Sequence, residues 1–227
     1  MRRVAVVVVS LALLIAGVPP IAPSVQLAGR ESTLSRIAVI SDSYTTGTDL
    51  GGLGVNGWPS LAWRILAEEG RPVAADVAAE GRAGYGVRGD HNSTFGDLTA
   101  RAVRPDDAVV VFFGSRNDQP VDAIEVAGLA RNAFELARRR APTARFLVIG
   151  PPWPTADVPV RIMQIRDALA IVAQASGARF VDPLVERWFV GRPELIGVDG
   201  VHPTDSGHRY IAERIAGLIA AELPAAR

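Results

Sequence analysis

The sequence predicts an α/β protein, a three-layer α/β/α sandwich around a central, mostly parallel five-stranded sheet. Two observations carry this expectation. Five short apolar runs lack the polar alternation of half-exposed strands, which fits strands covered on both faces. Longer amphipathic stretches separate them, so that strand and helix types alternate along the chain, the order that builds a parallel sheet with helices packed on it.

Strands are expected at 37–40, 73–78, 108–113, 145–149 and 179–181, each bounded by Gly, Pro or charged residues. Helices are expected at 59–69, 94–103, 121–140, 160–176 and 204–223. In the last of these Tyr210, Ile211, Ile215, Leu218 and Ile219 form one apolar stripe while Glu213, Arg214 and Glu222 fall on other faces, the pattern of a helix laid on a sheet. Arg138, Arg139 and Arg140 close the third helix, where cations complement the helix dipole. The Gly-rich loops 45–56 and 86–93 adjoin strand ends and read either as cleft walls or as plain turns.

Composition narrows the function. With 227 residues, 48% of them hydrophobic, the chain suits one compact domain, placed at 36–227. The 24 basic and 24 acidic residues cancel and are scattered, which excludes the concentrated basic face that nucleic acid requires. There is no cysteine, so disulfides, thiolate catalysis and cysteine-ligated zinc are excluded. Arg2 and Arg3 precede an apolar segment from Val4 to Val18, shorter than the roughly 20 residues of a spanning helix. Residues 1–24 therefore read as a secretory leader, with Ala22-Pro23-Ser24 as a cleavage region and a retained membrane anchor as the alternative; 25–35 read as a linker. The expected location is the cell envelope or the exterior.

Four strings fall in order along the chain: Ser41-Asp42-Ser43-Tyr44, a glycine-rich turn containing Gly81 and Gly84, Gly114-Ser115-Arg116-Asn117-Asp118, and Asp199-Gly200-Val201-His202. The first three follow expected strands, and open α/β sheets place their sites at the carboxyl ends of strands. Ser43 is a candidate nucleophile, and the Gly-x-Ser-x-Gly elbow is absent. Three residues of spacing let Asp199 reach Nδ1 of His202 and leave Nε2 facing outward, which suits a general base held in one tautomer. The Asn117 amide is a candidate donor to a developing oxyanion, and a glycine such as Gly81 lets a backbone N–H approach a ligand closely.

These strings resemble the SGNH or GDSL-type hydrolases, whose four named residues are Ser, Gly, Asn and His in that order. The resemblance runs from Ser41 to His202 and implies a flavodoxin-like SGNH fold. It also implies a carboxylic ester hydrolase of esterase or lipase type that works through an acyl-enzyme. Its roles fall on Ser43 as nucleophile, His202 as general base and acid, Asp199 as orienting carboxylate, and the Ser43 N–H, Gly81 and Asn117 as the oxyanion hole, with Gly84 a rival to Gly81. No metal or cofactor is implied. Expected substrates are small-molecule, lipid or acylated-carbohydrate esters, with transfer of the acyl group to an alcohol competing with hydrolysis. Two departures stand out: Ser41 replaces the motif's leading glycine, and Gly114 to Asn117 is one residue longer than Gly-x-Asn.

Two alternatives remain at this level. One is a non-catalytic envelope carbohydrate-binding protein on the same fold. The other is a metal-dependent phosphoesterase built on Asp42, Asp199, His202 and His208. Trp58 and Trp153 lie in expected loops near motif ends and are candidates to line the site, Trp63 is expected in the core, and His91 and His208 are expected at the surface.

Overall fold

The structure is a computed structural model that describes residues 34–224. The leader and the linker up to residue 33 lie outside the described residues. The first strand begins at Ser35, inside the segment read as linker.

Five strands among the described residues, β1 (Ser35–Ser41), β2 (Val73–Ala79), β3 (Asp107–Phe113), β4 (Arg145–Ile149) and β5 (Arg179–Val181), form one sheet in the order β2-β1-β3-β4-β5. Every pairing is parallel. Among the described residues six α-helices accompany them: α1 (Ser43–Thr46), α2 (Trp58–Glu68), α3 (Phe95–Ala102), α4 (Ala123–Arg140), α5 (Val160–Ala175) and α6 (Asp205–Glu222).

Neighbouring side chains of a strand point to opposite faces, so one apolar run feeds two cores. Ala38, Ile40, Val110, Phe112 and Val148 pack under α3, α4 and α5. Ile37, Val39, Val109, Val111 and Leu147 pack under α2 and α6. Each fully buried Val, Leu or Ile contributes roughly 1.5–3 kcal/mol, which is why these strands read as continuous apolar runs.

Helix ends follow their caps. Thr94 accepts from the Asp97 N–H while the Asp97 carboxylate accepts from the Thr94 N–H, a capping box that starts α3. Asp122 caps α4 through the Ile124 N–H, and Thr204 caps α6 through the Gly207 N–H. At the other end of α4, Arg138 donates to the Ala144 carbonyl at 2.7 Å and lies over the Phe146 ring, and Arg139 pairs with Glu135.

The strand order decides where the site is. From β1 the chain goes to one side for β2 and returns to the other for β3, so β1 lies between the two with Ser41 in register with both Ala79 and Phe113. The strings that follow these three strands emerge side by side at the topological switch point, the crevice where such sheets bind ligands.

Candidate active site

Ser43 is the first residue of α1, a single turn that starts directly after β1. Asp42 caps it: its carboxylate accepts from the Tyr44 N–H at 2.9 Å, and its carbonyl accepts from the Thr45 N–H at 2.9 Å. Ser41, which stands where the family motif has glycine, does not crowd the nucleophile. Its hydroxyl turns inward, donating to the Phe113 carbonyl at 2.8 Å and accepting from Thr45 at 2.7 Å.

His202 approaches from the loop before α6. Its Nε2 lies 3.1 Å from the Ser43 hydroxyl and its Nδ1 lies 2.6 Å from Asp199. The other Asp199 oxygen accepts from the Val201 and His202 backbone N–H groups at 2.9 and 3.0 Å, so the aspartate organises the turn that presents the ring. Burial works to raise the Asp199 carboxyl, but the hydrogen bonds from His202 and Val201 outweigh it and hold the group below the usual carboxylate range.

The loop itself is tied down at three points. Gly197 donates to the His202 carbonyl at 2.8 Å, Thr204 donates to the Leu195 carbonyl at 2.9 Å, and the Tyr44 hydroxyl donates to the Val201 carbonyl at 2.6 Å. Burial pushes the Tyr44 phenol up to about 12, so it stays a protonated donor.

The glycine-rich turn separates its two candidates. Gly84 donates its N–H to the Val87 carbonyl, and a Cβ there would fall 2.4 Å from the Asp118 carboxylate. Asp118 in turn accepts from the N–H groups of Tyr85, Gly86 and Val87 and from the Ser115 hydroxyl. Gly84 is thus a packing glycine against a buried carboxylate. Gly81 also backs onto a carboxylate, that of Asp90, but it lines a cavity of about 460 Å³ together with Ser43 and His202, and its N–H has no acceptor among the described residues.

Asn117 sits on the one-turn segment after β3. Its amide donates to the Ala83 carbonyl at 2.9 Å and to Asp42 at 3.2 Å. Burial pushes the Asp42 carboxyl up to about 7, against the lowering effects of the Tyr44 N–H and the nearby Arg116.

Other candidates are placed differently from the sequence reading. Trp58 is fully buried at the start of α2, with its indole N–H donating to Thr45 at 2.8 Å, so it braces α1 from behind rather than lining the cavity. His208 is not at the surface. It is fully buried, accepts from the Trp58 N–H at 3.3 Å and lies against the backbone of Gly52. Its place on the stripe of Ile211 and Ile215, one and two turns on, was the available signal. His91 is exposed, as expected, and lines the Ser43 cavity, and Trp153 stacks on the Arg116 guanidinium at 4.5 Å. Asp42, Asp199, His202 and His208 do not assemble, and among the described residues no three His, Asp or Glu side chains are grouped to hold a metal ion.

A parallel sheet of order β2-β1-β3-β4-β5, with the four motif strings gathered at its carboxyl edge, defines an α/β/α protein with a serine and a histidine–aspartate pair at its switch point. Comparison with known proteins makes the placement specific: the chain belongs to the GDSL-like lipase/acylhydrolase family, whose model matches residues 42–210. It is 63% identical over 193 residues to the GDSL lipase Rv0518 of Mycobacterium tuberculosis, covering 84% of each chain. Among solved structures it is similar to TesA, with a TM-score of 0.66 and 20% identity over 83% of this chain and 100% of that one. It is also similar to the lipase/acylhydrolase from Enterococcus faecalis, with a TM-score of 0.64 and 19% identity over 85% and 99%.

Proposed function

We propose that the chain is a serine esterase that cleaves carboxylic esters through an acyl-enzyme, with Ser43, His202 and Asp199 as its triad. The observation that carries this reading is the continuous path from the Ser43 hydroxyl to His202 Nε2 at 3.1 Å and from Nδ1 to Asp199 at 2.6 Å. Asp199 holds the tautomer with the proton on Nδ1, so Nε2 is free to accept the serine proton as Ser43 attacks the acyl carbon. The imidazolium then protonates the leaving alkoxide, and water, activated by the same ring, releases the acid and regenerates Ser43.

The oxyanion donors in this reading are the Ser43 N–H, the Gly81 N–H and the Asn117 amide. For Asn117 this requires one amide hydrogen to move from Asp42, the longer of its two bonds, to the oxyanion. Each donor is expected to supply on the order of 2.7–4 kcal/mol in the transition state.

The test is labelling with a serine-directed fluorophosphonate, alongside hydrolysis of nitrophenyl acetate by wild type and Ser43→Ala. Labelling at Ser43 with loss of turnover in the variant is expected; full activity in the variant overturns the reading. The charged, apolar and small-residue order of residues 1–24 supports export to the envelope or beyond. N-terminal sequencing of the protein recovered from culture medium and membranes tests that, and an intact Met1 in a cytosolic fraction overturns it.

A further inference from the structure

The string after β3 is one residue longer than Gly-x-Asn, and the added length carries an arginine. Ser115 and Asp118 turn inward, both fully buried and hydrogen-bonded to each other. Between them, directly before Asn117, Arg116 is half-buried, and its guanidinium reaches across to the loop after β4. Its backbone is pinned by the Gln119 amide, which donates to the Arg116 carbonyl at 3.1 Å.

A guanidinium carries five N–H donors. One face of this one lies over the Trp153 ring, 4.5 Å from its centroid, and Nη1 approaches the Tyr44 hydroxyl at 3.5 Å. Elsewhere the charges of Arg36, Arg82 and Arg166 are taken by Asp76, Asp90 and Asp182, whereas Arg116 pairs with no carboxylate among the described residues. None of its nitrogens is a buried atom without a partner, so the donors it leaves unused open to solvent.

The platform beneath the charge is stiff. Trp153 follows Pro151 and Pro152 and precedes Pro154, residues of fixed φ, and the Gly150 N–H donates to the Val181 carbonyl at 3.0 Å. Stacking on the indole fixes the guanidinium plane and strips water from one face, which leaves its edge ready for a two-pronged acceptor. The place is beside the reaction. The Tyr44 hydroxyl that Arg116 approaches also donates to the carbonyl of Val201, the residue before His202, and Tyr44 itself follows Ser43. The cavity lined by Gly81 opens toward β2, while Arg116 and Trp153 follow β3 and β4 on the other side of β1. One half of an ester held at Ser43 therefore passes the guanidinium edge. Asp42 and Asp118 lie close behind this cation, so it balances a monoanion better than a dianion such as phosphate.

We propose that Arg116, held flat on Trp153, binds a carboxylate carried by the substrate, so that the enzyme favours half-esters of dicarboxylic acids or esters of hydroxy acids over their neutral counterparts. This rests on the esterase reading of Ser43. Arg116 sets which ester is held there; the bond broken and the proton carried by His202 are the same for charged and neutral esters.

The test measures kcat/KM in the full chain for two pairs of esters. Nitrophenyl hydrogen adipate against nitrophenyl hexanoate puts the carboxylate on the acyl half, and 4-acetoxybenzoate against phenyl acetate puts it on the leaving half. In one pair the charged-to-neutral ratio is expected to fall about tenfold in Arg116→Gln, the worth of one charged hydrogen bond, through KM more than kcat, and to recover in large part in Arg116→Lys. The pair that responds shows which half faces Arg116. Wild type gives a second reading that needs no variant: the same ratio is expected to fall as salt rises from about 0.01 M to about 1 M, because an accessible ion pair is screened. Ratios that neither Arg116→Gln nor salt moves in either pair overturn the proposal. Ser43→Ala separates the two claims. If it loses hydrolysis of all four esters while the ratios stay unmoved in Arg116→Gln, the esterase stands and only the carboxylate site falls, whereas hydrolysis retained in Ser43→Ala removes both.

Discussion

The hydroxyl of Tyr44 donates to the carbonyl of Val201 at 2.6 Å, joining the residue after Ser43 to the residue before His202. The Tyr44 ring lies edge-on to Phe113 and Phe189, while its hydroxyl reaches the loop of His202 and also accepts from Arg116 at 3.5 Å. The bond is a strut between the two sides of the Ser43–His202 contact. Tyr44→Phe keeps the ring contacts and removes the strut. It is expected to lower kcat roughly three- to tenfold, the rate equivalent of one neutral hydrogen bond, with KM little changed. Steady-state kinetics on nitrophenyl acetate check this, and a rise in KM at constant kcat would count against a positioning role.

Asp199→Asn isolates the ring's tautomer from the shape of the turn. An asparagine oxygen can still accept from the Val201 and His202 backbone N–H groups, so the loop is expected to fold. The amide then faces Nδ1 with a donor, the proton shifts to Nε2, and Nε2 can no longer accept from Ser43. The expected loss in kcat is roughly ten-thousandfold, the size of effect this change has where the same triad logic operates. Measured kcat, with an unchanged melting temperature, decides it; a loss below tenfold would mean that Asp199 does not set the tautomer.

The two sides of this site were unequally legible in the sequence. The Asp199–His202 spacing is local, and a turn of that length brings carboxylate to ring whatever the rest of the fold does. The five strands could be read because each is an apolar run covered on both faces, and helix ends fell within two residues of expectation because Thr94, Asp122 and Thr204 are capping residues. What could not be read depends on contacts between distant segments. Gly81 and Gly84 look alike in sequence and each backs onto a carboxylate, Asp90 and Asp118; only the fold shows that Gly81 lines the cavity while the Gly84 N–H is taken by the Val87 carbonyl. The one-turn α1 is too short to leave a periodic signal. Trp58 read as a loop residue because nothing local reveals that its indole braces Thr45.

Ser41→Gly restores the family's leading residue and tests whether the departure is structural. The serine hydroxyl bridges the ends of β1 and β3 and receives the Thr45 hydroxyl, so the variant loses two buried hydrogen bonds and gains backbone freedom in the unfolded chain. A loss of about 2 kcal/mol is expected, or roughly 4–8 °C in melting temperature for a domain of this size. Thermal unfolding checks it, and an unchanged midpoint would mean that water replaces the hydroxyl without cost.

His208 and Asp42 impose opposite pH dependences on stability. Burial lowers the His208 imidazole to about 4, with Asp205 opposing and His202 adding to the effect. From about pH 6.5 down to 4 the unfolded chain therefore takes up a proton that the folded protein refuses, and stability falls as pH falls, by on the order of 3 kcal/mol in all. Asp42 acts the other way. Its carboxyl is pushed up to about 7, so between pH 7 and 4 the folded protein holds a proton that the unfolded chain has released, and stability rises as pH falls. His208→Asn is neutral throughout, and its side-chain oxygen can still accept from the Trp58 N–H. Urea midpoints of wild type and variant, measured from pH 7 to 4, are expected to diverge on acidification, with the variant gaining on wild type over that window. Parallel curves would mean that His208 takes up its proton in the folded protein as readily as in water.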